Sequence, residues 1–181
     1  NYVLPGQMSL DSEDNVWVTT KFVREGGGVI SIFSPDDSIY HIYQYQGGLE
    51  SRSVKSIAID DNDMVWLGSQ VRTELQAGGG IDFLEIVGGS LHNDMEINVS
   101  HLTTDSPLAS NEILQLEVDT HNTLWILTPA GVQSMPLPDR WLTSSELKNH
   151  ASLYMTPKET DYYFYWQLTD YNITSFEIDQ R

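Results

Sequence analysis

Four tryptophans set the register of this chain. Around Trp17, Trp66, Trp125 and Trp166 the flanking residues align without a gap. Self-similarity at a period of tens of residues narrows the possible folds more than any bulk property does. An aspartate stands six residues before each of the first three, at Asp11, Asp60 and Asp119. A small hydroxyl stands three residues after all four, at Thr20, Ser69, Thr128 and Thr169.

Upstream of the aspartates the pattern alternates. Met8 and Leu10, Ile57 and Ile59, and Leu116 and Val118 are apolar, while Ser9, Ala58 and Glu117 between them are small or polar. Period two predicts a strand with one buried face. Between aspartate and tryptophan run Ser-Glu-Asp-Asn, Asp-Asn-Asp-Met and Thr-His-Asn-Thr, rich in residues whose side chains close tight turns on their own backbone. This predicts a hairpin whose second strand is Val16 to Thr19, Val65 to Gly68, or Leu124 to Leu127. A third strand follows the glycines at 26–28, 78–80 and 131, and a fourth, more variable one follows that, for example Ile39 to Tyr45 or Ile97 to Thr103.

The tryptophans are 49, 59 and 41 residues apart, against about 40 to 50 residues for a four-stranded propeller blade. Insertions between second and third strands, Lys21 to Glu25 and Gln70 to Ala77, account for the excess in this reading. One such sheet cannot bury its faces alone, so neighbours must stack, with the tryptophan as a wedge between them. The expectation is an all-β chain of about four β-propeller blades over residues 1–181, each a four-stranded antiparallel sheet, the whole forming part of a larger propeller. The fourth blade, around Trp166, is degenerate.

Residues 45–69, Tyr-Gln-Gly-Gly-Leu-Glu-Ser-Arg-Ser-Val-Lys-Ser-Ile-Ala-Ile-Asp-Asp-Asn-Asp-Met-Val-Trp-Leu-Gly-Ser, carry a more specific likeness. They resemble the two-component regulator propeller repeat, with its Gly-Leu-Pro-Ser-like entry, Ile-x-x-Asp strand end and Leu-Trp-Ile-Gly-Thr. Ser106-Pro-Leu-Ala-Ser-Asn-Glu-Ile113 with Leu116 to Thr128 resembles the same repeat. The usual turn glycine is replaced by Asp14, Asp63 or Asn122, residues that tolerate left-handed backbone angles. The resemblance runs over residues 7 to 137. It implies the periplasmic or extracellular sensor portion of a bacterial signalling protein, commonly two propellers followed by a small β-sandwich, a membrane span and a kinase or other output domain. Some members are secreted or surface assembly factors. Four blades fall short of the roughly seven that close a ring in this family, within the general propeller range of about 4 to 8. The chain is therefore expected to be a fragment or to close by pairing with other blades.

Composition removes several alternatives. Nine Lys plus Arg against 26 Asp plus Glu give a net charge of −17, a surface that repels phosphate backbones and argues against nucleic acid as a partner. Without cysteine, disulfides, thiolate zinc sites and a cysteine nucleophile are excluded. No apolar run approaches the ~20 residues of a membrane span. A chain that opens on Asn1 without a basic-then-apolar leader reads as mature, trimmed or excised.

Catalytic and metal signatures find little support. Asp11, Glu13 and Asn15 have calcium-loop spacing, but Val16 and Phe22 occupy the positions that need glycine and a bidentate acid, and Asp60 meets Val65 and Val71 in the same way. These aspartates read as turn caps. His41, His92, His101, His121 and His150 show no metal spacing and read as surface or turn residues. The glycine triplets precede strand patterns, so they are hairpin glycines and not phosphate cradles. No Gly-x-Ser-x-Gly elbow exists. The cluster from Tyr162 to Trp166 could stack on a carbohydrate, but reads as a half-buried strand. Asn98-Val-Ser and Asn172-Ile-Thr match a glycosylation sequon that matters only in a eukaryotic secretory setting. Ser144 to Leu153 is a short helix or a long loop.

The leading functional expectation is a ligand-sensing module, not an enzyme, with no cofactor or metal. A small molecule or oligosaccharide would be held by inserted loops around Arg24, Glu25, Arg72 and Glu74. The alternative is a scaffold or secretion and assembly factor that binds a protein along a blade. A streptogramin-lyase-like enzyme comes third, since it needs a central His and Glu that scattered histidines do not supply.

Overall fold

The computed structural model describes residues 3–22, 29–43, 48–49, 53–71, 78–90 and 93–155. Among them, three four-stranded antiparallel sheets follow one another along the chain, each ordered in space as in sequence. The first holds β1 (Val3–Leu10), β2 (Val16–Phe22), β3 (Val29–Phe33) and β4 (Ile39–Tyr43). The second holds β5 (Val54–Ile59), β6 (Val65–Ser69), β7 (Gly80–Ser90) and β8 (Asn93–Leu102). The third holds β9 (Gln115–Val118), β10 (Thr123–Thr128), β11 (Gly131–Pro136) and β12 (Tyr154–Met155). The predicted second strands are all present. The fourth repeat, with Trp166 and the aromatic cluster at 162–166, lies outside the described residues.

The turn between the first two strands is built identically three times. At Asp14, Asp63 and Asn122 φ is +62°, +58° and +54°, the left-handed values that the Asp and Asn choice anticipates. The amide of each of these residues donates to the carbonyl of the repeat aspartate, at 3.2, 3.0 and 3.0 Å.

Cross-strand register decides which side chains share a face, because directly opposed residues project to the same side. One face of the second sheet carries the row Ile57, Leu67, Asp82 and His101, and the row Ile59, Val65, Leu84 and Val99. This face meets Trp17, Ile30, Ile32 and Ile42 of the first sheet in one apolar core. The other face, with Ala58, Trp66, Phe83, Ile81 and Leu102, meets Leu116, Leu124, Ile126 and Met135 of the third sheet in a second core. The tryptophan face of each sheet thus covers the first strand of the next, with β1 and β2 packed on β5, and β5 and β6 on β9.

This corrects the expectation of one buried face per strand. In the second sheet β5 is buried on both sides and all of β6 is buried. Ser9 and Ala58 are small because they sit on the tryptophan face under a neighbouring sheet, whereas Glu117 occupies that position where it remains exposed.

Repeat length also differs from the expected account. Lys21 and Phe22 belong to β2 and are not inserted. Part of the second repeat's extra length is a long hairpin in which Glu85 pairs with Asn98 and Ser90 with Asn93, beyond the last row shared with β6. The Asn98 sequon lies on this hairpin, where the Asn98 amide donates to Glu85 Oε2 at 3.3 Å.

The segment at 144–153 resolves in favour of a helix, α1 (Ser144–His150). Thr143 caps it and Glu146 closes the capping box. The Arg140 guanidinium, followed by the Thr143 amide and hydroxyl, holds the Glu146 carboxyl at about 2. Leu147 anchors α1 in the second core. The helix start also serves β8: Ser144 Oγ accepts from the His101 amide at 2.9 Å, and Ser100 Oγ donates to the Leu142 carbonyl. These contacts occupy polar groups on a strand at the edge of its sheet.

Candidate functional site

Each repeat aspartate acts as a clamp. Asp11 Oδ1 accepts from the Glu13 and Asn15 amides at 3.0 and 2.9 Å, and Oδ2 accepts from the Trp17 indole at 2.8 Å. Asp60 accepts from the Asn62 and Met64 amides at 2.9 and 3.1 Å and from the Trp66 indole at 3.2 Å. Asp119 accepts from the His121 and Thr123 amides at 2.8 and 3.1 Å and from the Trp125 indole at 2.8 Å. One carboxylate therefore closes the turn and fixes the indole, which at Trp17 and Trp66 lies between two sheets. Each carboxylate thus accepts from two amides of its own turn and from the indole, which is the turn-cap role.

Environment separates equivalent aspartates. Burial pushes the Asp60 carboxyl above its usual range despite its three donors. Burial pushes Asp119 up as well, but the Trp125 indole and the His121 and Thr123 amides outweigh it and leave that carboxyl lowered.

Arg24, Glu25, Arg72 and Glu74, the expected ligand loops, lie outside the described residues, as does His92. The strand ends that flank them, in β2 and β3 and in β6 and β7, lie at the sheet ends away from the aspartate turns. The chain between β8 and β9 occupies that same end. It is pinned there by Gln133, whose Oε1 accepts from the Ala109 amide at 2.7 Å and whose Nε2 donates to the Pro107 carbonyl at 3.1 Å. The Ile113 amide also donates to the Ser69 carbonyl at 2.9 Å.

A polar pair at this end was not legible as such in the sequence. Asp82 is fully buried and its Oδ1 lies 2.6 Å from His101 Nδ1. His101 is thus on a strand and mostly covered, a correction to its reading as a surface or turn residue. Gly80, with φ +115°, leaves room for the imidazole: a Cβ there would stand 2.5 Å from the Leu102 carbonyl oxygen and 3.2 Å from the ring. Only an aspartate flanked on both sides by buried apolar residues, Ile81 and Phe83, hinted at it.

Register shows what the position is. Ser31 opposes His41 in the first sheet, with Oγ and Nδ1 3.1 Å apart, as Asp82 opposes His101 in the second. Gln133 holds the equivalent place in the third, opposite Ile126 as Asp82 is opposite Leu67. The pair is a recurring polar position on the third strand. Among the described residues no three His, Asp or Glu side chains gather to hold a metal, and no helix is long and apolar enough to cross a membrane.

No protein-family model and no curated protein matches the chain. Two solved structures are similar in outline. One is the extracellular domain of a protein described as a hybrid two component system, BT4673 from B. thetaiotaomicron, with a TM-score of 0.41 and 11% identity over 86% of this chain and 21% of that one. The other is PorZ, described as an essential bacterial surface component of the type-IX secretion system of Porphyromonas gingivalis, with a TM-score of 0.36 and 17% identity over 73% of this chain and 26% of that one. The chain spans about a fifth to a quarter of the length of both.

Proposed function

We infer that the three sheets are blades of a β-propeller, and that the propeller is the ligand-sensing module of a periplasmic or extracellular bacterial signalling protein. The observation that carries this reading is the threefold repetition of one unit, an Asp-clamped turn and tryptophan in a four-stranded sheet, with the first two sheets each covering the first strand of the next. The likeness of residues 45–69 and 106–128 to the two-component regulator propeller repeat supports the sensing role. In this reading the region binds and does not catalyse. Its ligand contacts come from the connections between second and third strands, which a stacked array gathers at one end.

The charge of −17 disfavours anionic ligands, so the test uses a panel of neutral and amino-sugar oligosaccharides, with thermal unfolding of the 181-residue chain as readout. A ligand present at 100 times its Kd stabilises by about 2.7 kcal/mol. The expected result is a rise in Tm with at least one saccharide, lost on joint replacement of Arg24, Glu25, Arg72 and Glu74 by alanine. A panel without effect, or one whose effect survives that replacement, refutes the assignment.

A further inference from the structure

One corner of the repeat is chemically closed in the third sheet and open in the second. In the third, residues 129–130 join β10 to β11, and Thr128 lies opposite Gly131 in the last row. Thr128 Oγ1 donates to the Gly131 carbonyl and accepts from the Ala130 amide, both at 3.1 Å. Gln133, one row further in on the same face, commits its oxygen to the Ala109 amide and its nitrogen to the Pro107 carbonyl. In the second sheet the counterparts are Ser69, opposite Gly80, and Asp82 with His101, while residues 70–79 replace the short turn. Ser69 is fully buried, and its Oγ has no hydrogen-bond partner among the described residues.

His101 supplies a second uncommitted atom at this corner. Its Nδ1 faces the Asp82 carboxylate, and the rest of the ring leans over Gly80, with Cε1 and Nε2 at 3.2 and 3.3 Å from where a Cβ would stand. The imidazole therefore reaches over the residue paired with Ser69. Its side chain is 15% exposed, against 0% for Asp82, and Nε2 has no partner among the described residues and is open to solvent. A carboxylate buried against Nδ1 holds the proton of the neutral ring on that nitrogen and leaves Nε2 as a bare acceptor.

We propose that this corner is a ligand subsite that takes a hydroxyl group of a neutral saccharide. The hydroxyl donates to His101 Nε2 and its oxygen accepts from Ser69 Oγ, while Asp82 is a positioning residue that fixes the imidazole and its tautomer. A hydroxyl is both donor and acceptor, so one group satisfies both atoms. An ammonium has no lone pair for Ser69. A carboxylate or phosphate has no proton for Nε2, and it meets the buried Asp82 charge on a chain of net charge −17. Residues 70–79, which leave from Ser69 and return at Gly80, carry Arg72 and Glu74, so the subsite deepens the sensing reading above and rests on it.

The test needs no variant to begin. Diethyl pyrocarbonate, which acylates a bare imidazole nitrogen, is applied to the 181-residue chain and followed by peptide mass spectrometry, with exposed His121 at the far end of its sheet as the standard. A neutral oligosaccharide of the panel that raises Tm, added at about ten times its Kd, leaves roughly one site in eleven free, so His101 should be acylated about tenfold more slowly while His121 is unchanged. Ser69→Ala removes an unpartnered hydroxyl, so the free chain should keep or raise its Tm while Kd for that saccharide rises roughly fivefold, the equivalent of one hydrogen bond. His101→Asn keeps a donor toward Asp82 without Nε2 and should lose as much. Long-range 1H–15N spectra should find the proton of the neutral His101 ring on Nδ1, and Asp82→Leu should move it to Nε2. A saccharide that raises Tm but leaves His101 unprotected, or that binds Ser69→Ala as tightly as wild type, overturns the subsite and leaves the sensing reading standing. So does a free chain in which His101 resists acylation. A panel without any binder overturns both.

Discussion

Replacing Trp66 by alanine should cost far more than the same replacement at Trp125, although the two occupy the same place in the repeat. Trp66 is fully buried, its ring stacked on Phe83 with centroids 4.1 Å apart and an angle of 12°. A tryptophan buries on the order of 200 Å², which at about 25 cal/mol per Å² gives ~5 kcal/mol, the upper end of measured truncations of large aromatic residues. The enclosed space left between two sheets cannot collapse fully. Trp125 is already 37% exposed, so the same area rule gives ~3 kcal/mol. Water fills the vacated place, so no cavity cost is added. The expected gap of about 2 kcal/mol corresponds to roughly 4 to 8 °C in Tm for a protein of this size. Urea unfolding followed by far-UV circular dichroism measures both variants without relying on tryptophan fluorescence. Equal losses, or a larger loss at Trp125, would refute the claim that the sheets stack through their tryptophan faces.

The equivalent aspartates should respond to pH with opposite signs. The folded carboxyl of Asp119 is lowered, so its contribution is present above the unfolded value near 3.8 and is lost as pH falls through the folded value. That of Asp60 is raised, so its contribution is greatest below about 3.8 and declines as pH rises through the folded value. Stability of wild type minus Asp119→Asn should therefore grow between pH 3 and 7, and that of wild type minus Asp60→Asn should shrink, as read from urea midpoints; parallel curves would contradict the burial difference. At the left-handed turn position, Asn122→Gly should be neutral or stabilising by up to ~1 kcal/mol, while Asn122→Val should cost about 1 to 2 kcal/mol. A valine tolerated there would disprove the strain argument at φ +54°.

Much of this was legible because it is local. The Asp-turn-Trp unit spans seven residues, so the residues that specify it also make it, and strands, turns and left-handed positions follow from the nearest neighbours. The repeat spacing implied sheets that must stack. The excess length in the second repeat was partly misplaced because Gly88 and Gly89 mark a turn without fixing how far the strands on either side of it run. Asp82 and His101 escaped notice because their meeting depends on the pairing of β7 with β8 across 19 residues, and no short-range rule announces it.

The amino-acid order alone therefore determined the unit: a clamped hairpin, a four-stranded sheet and a wedge, three times over. Only the tertiary structure decided which face of each unit is covered. Ile57, Leu116 and Met8 are equivalent in sequence, and what separates a buried residue from one 70% exposed is the presence of a neighbouring sheet. Burial is a property of what lies across the seam, which alternation along one strand does not record.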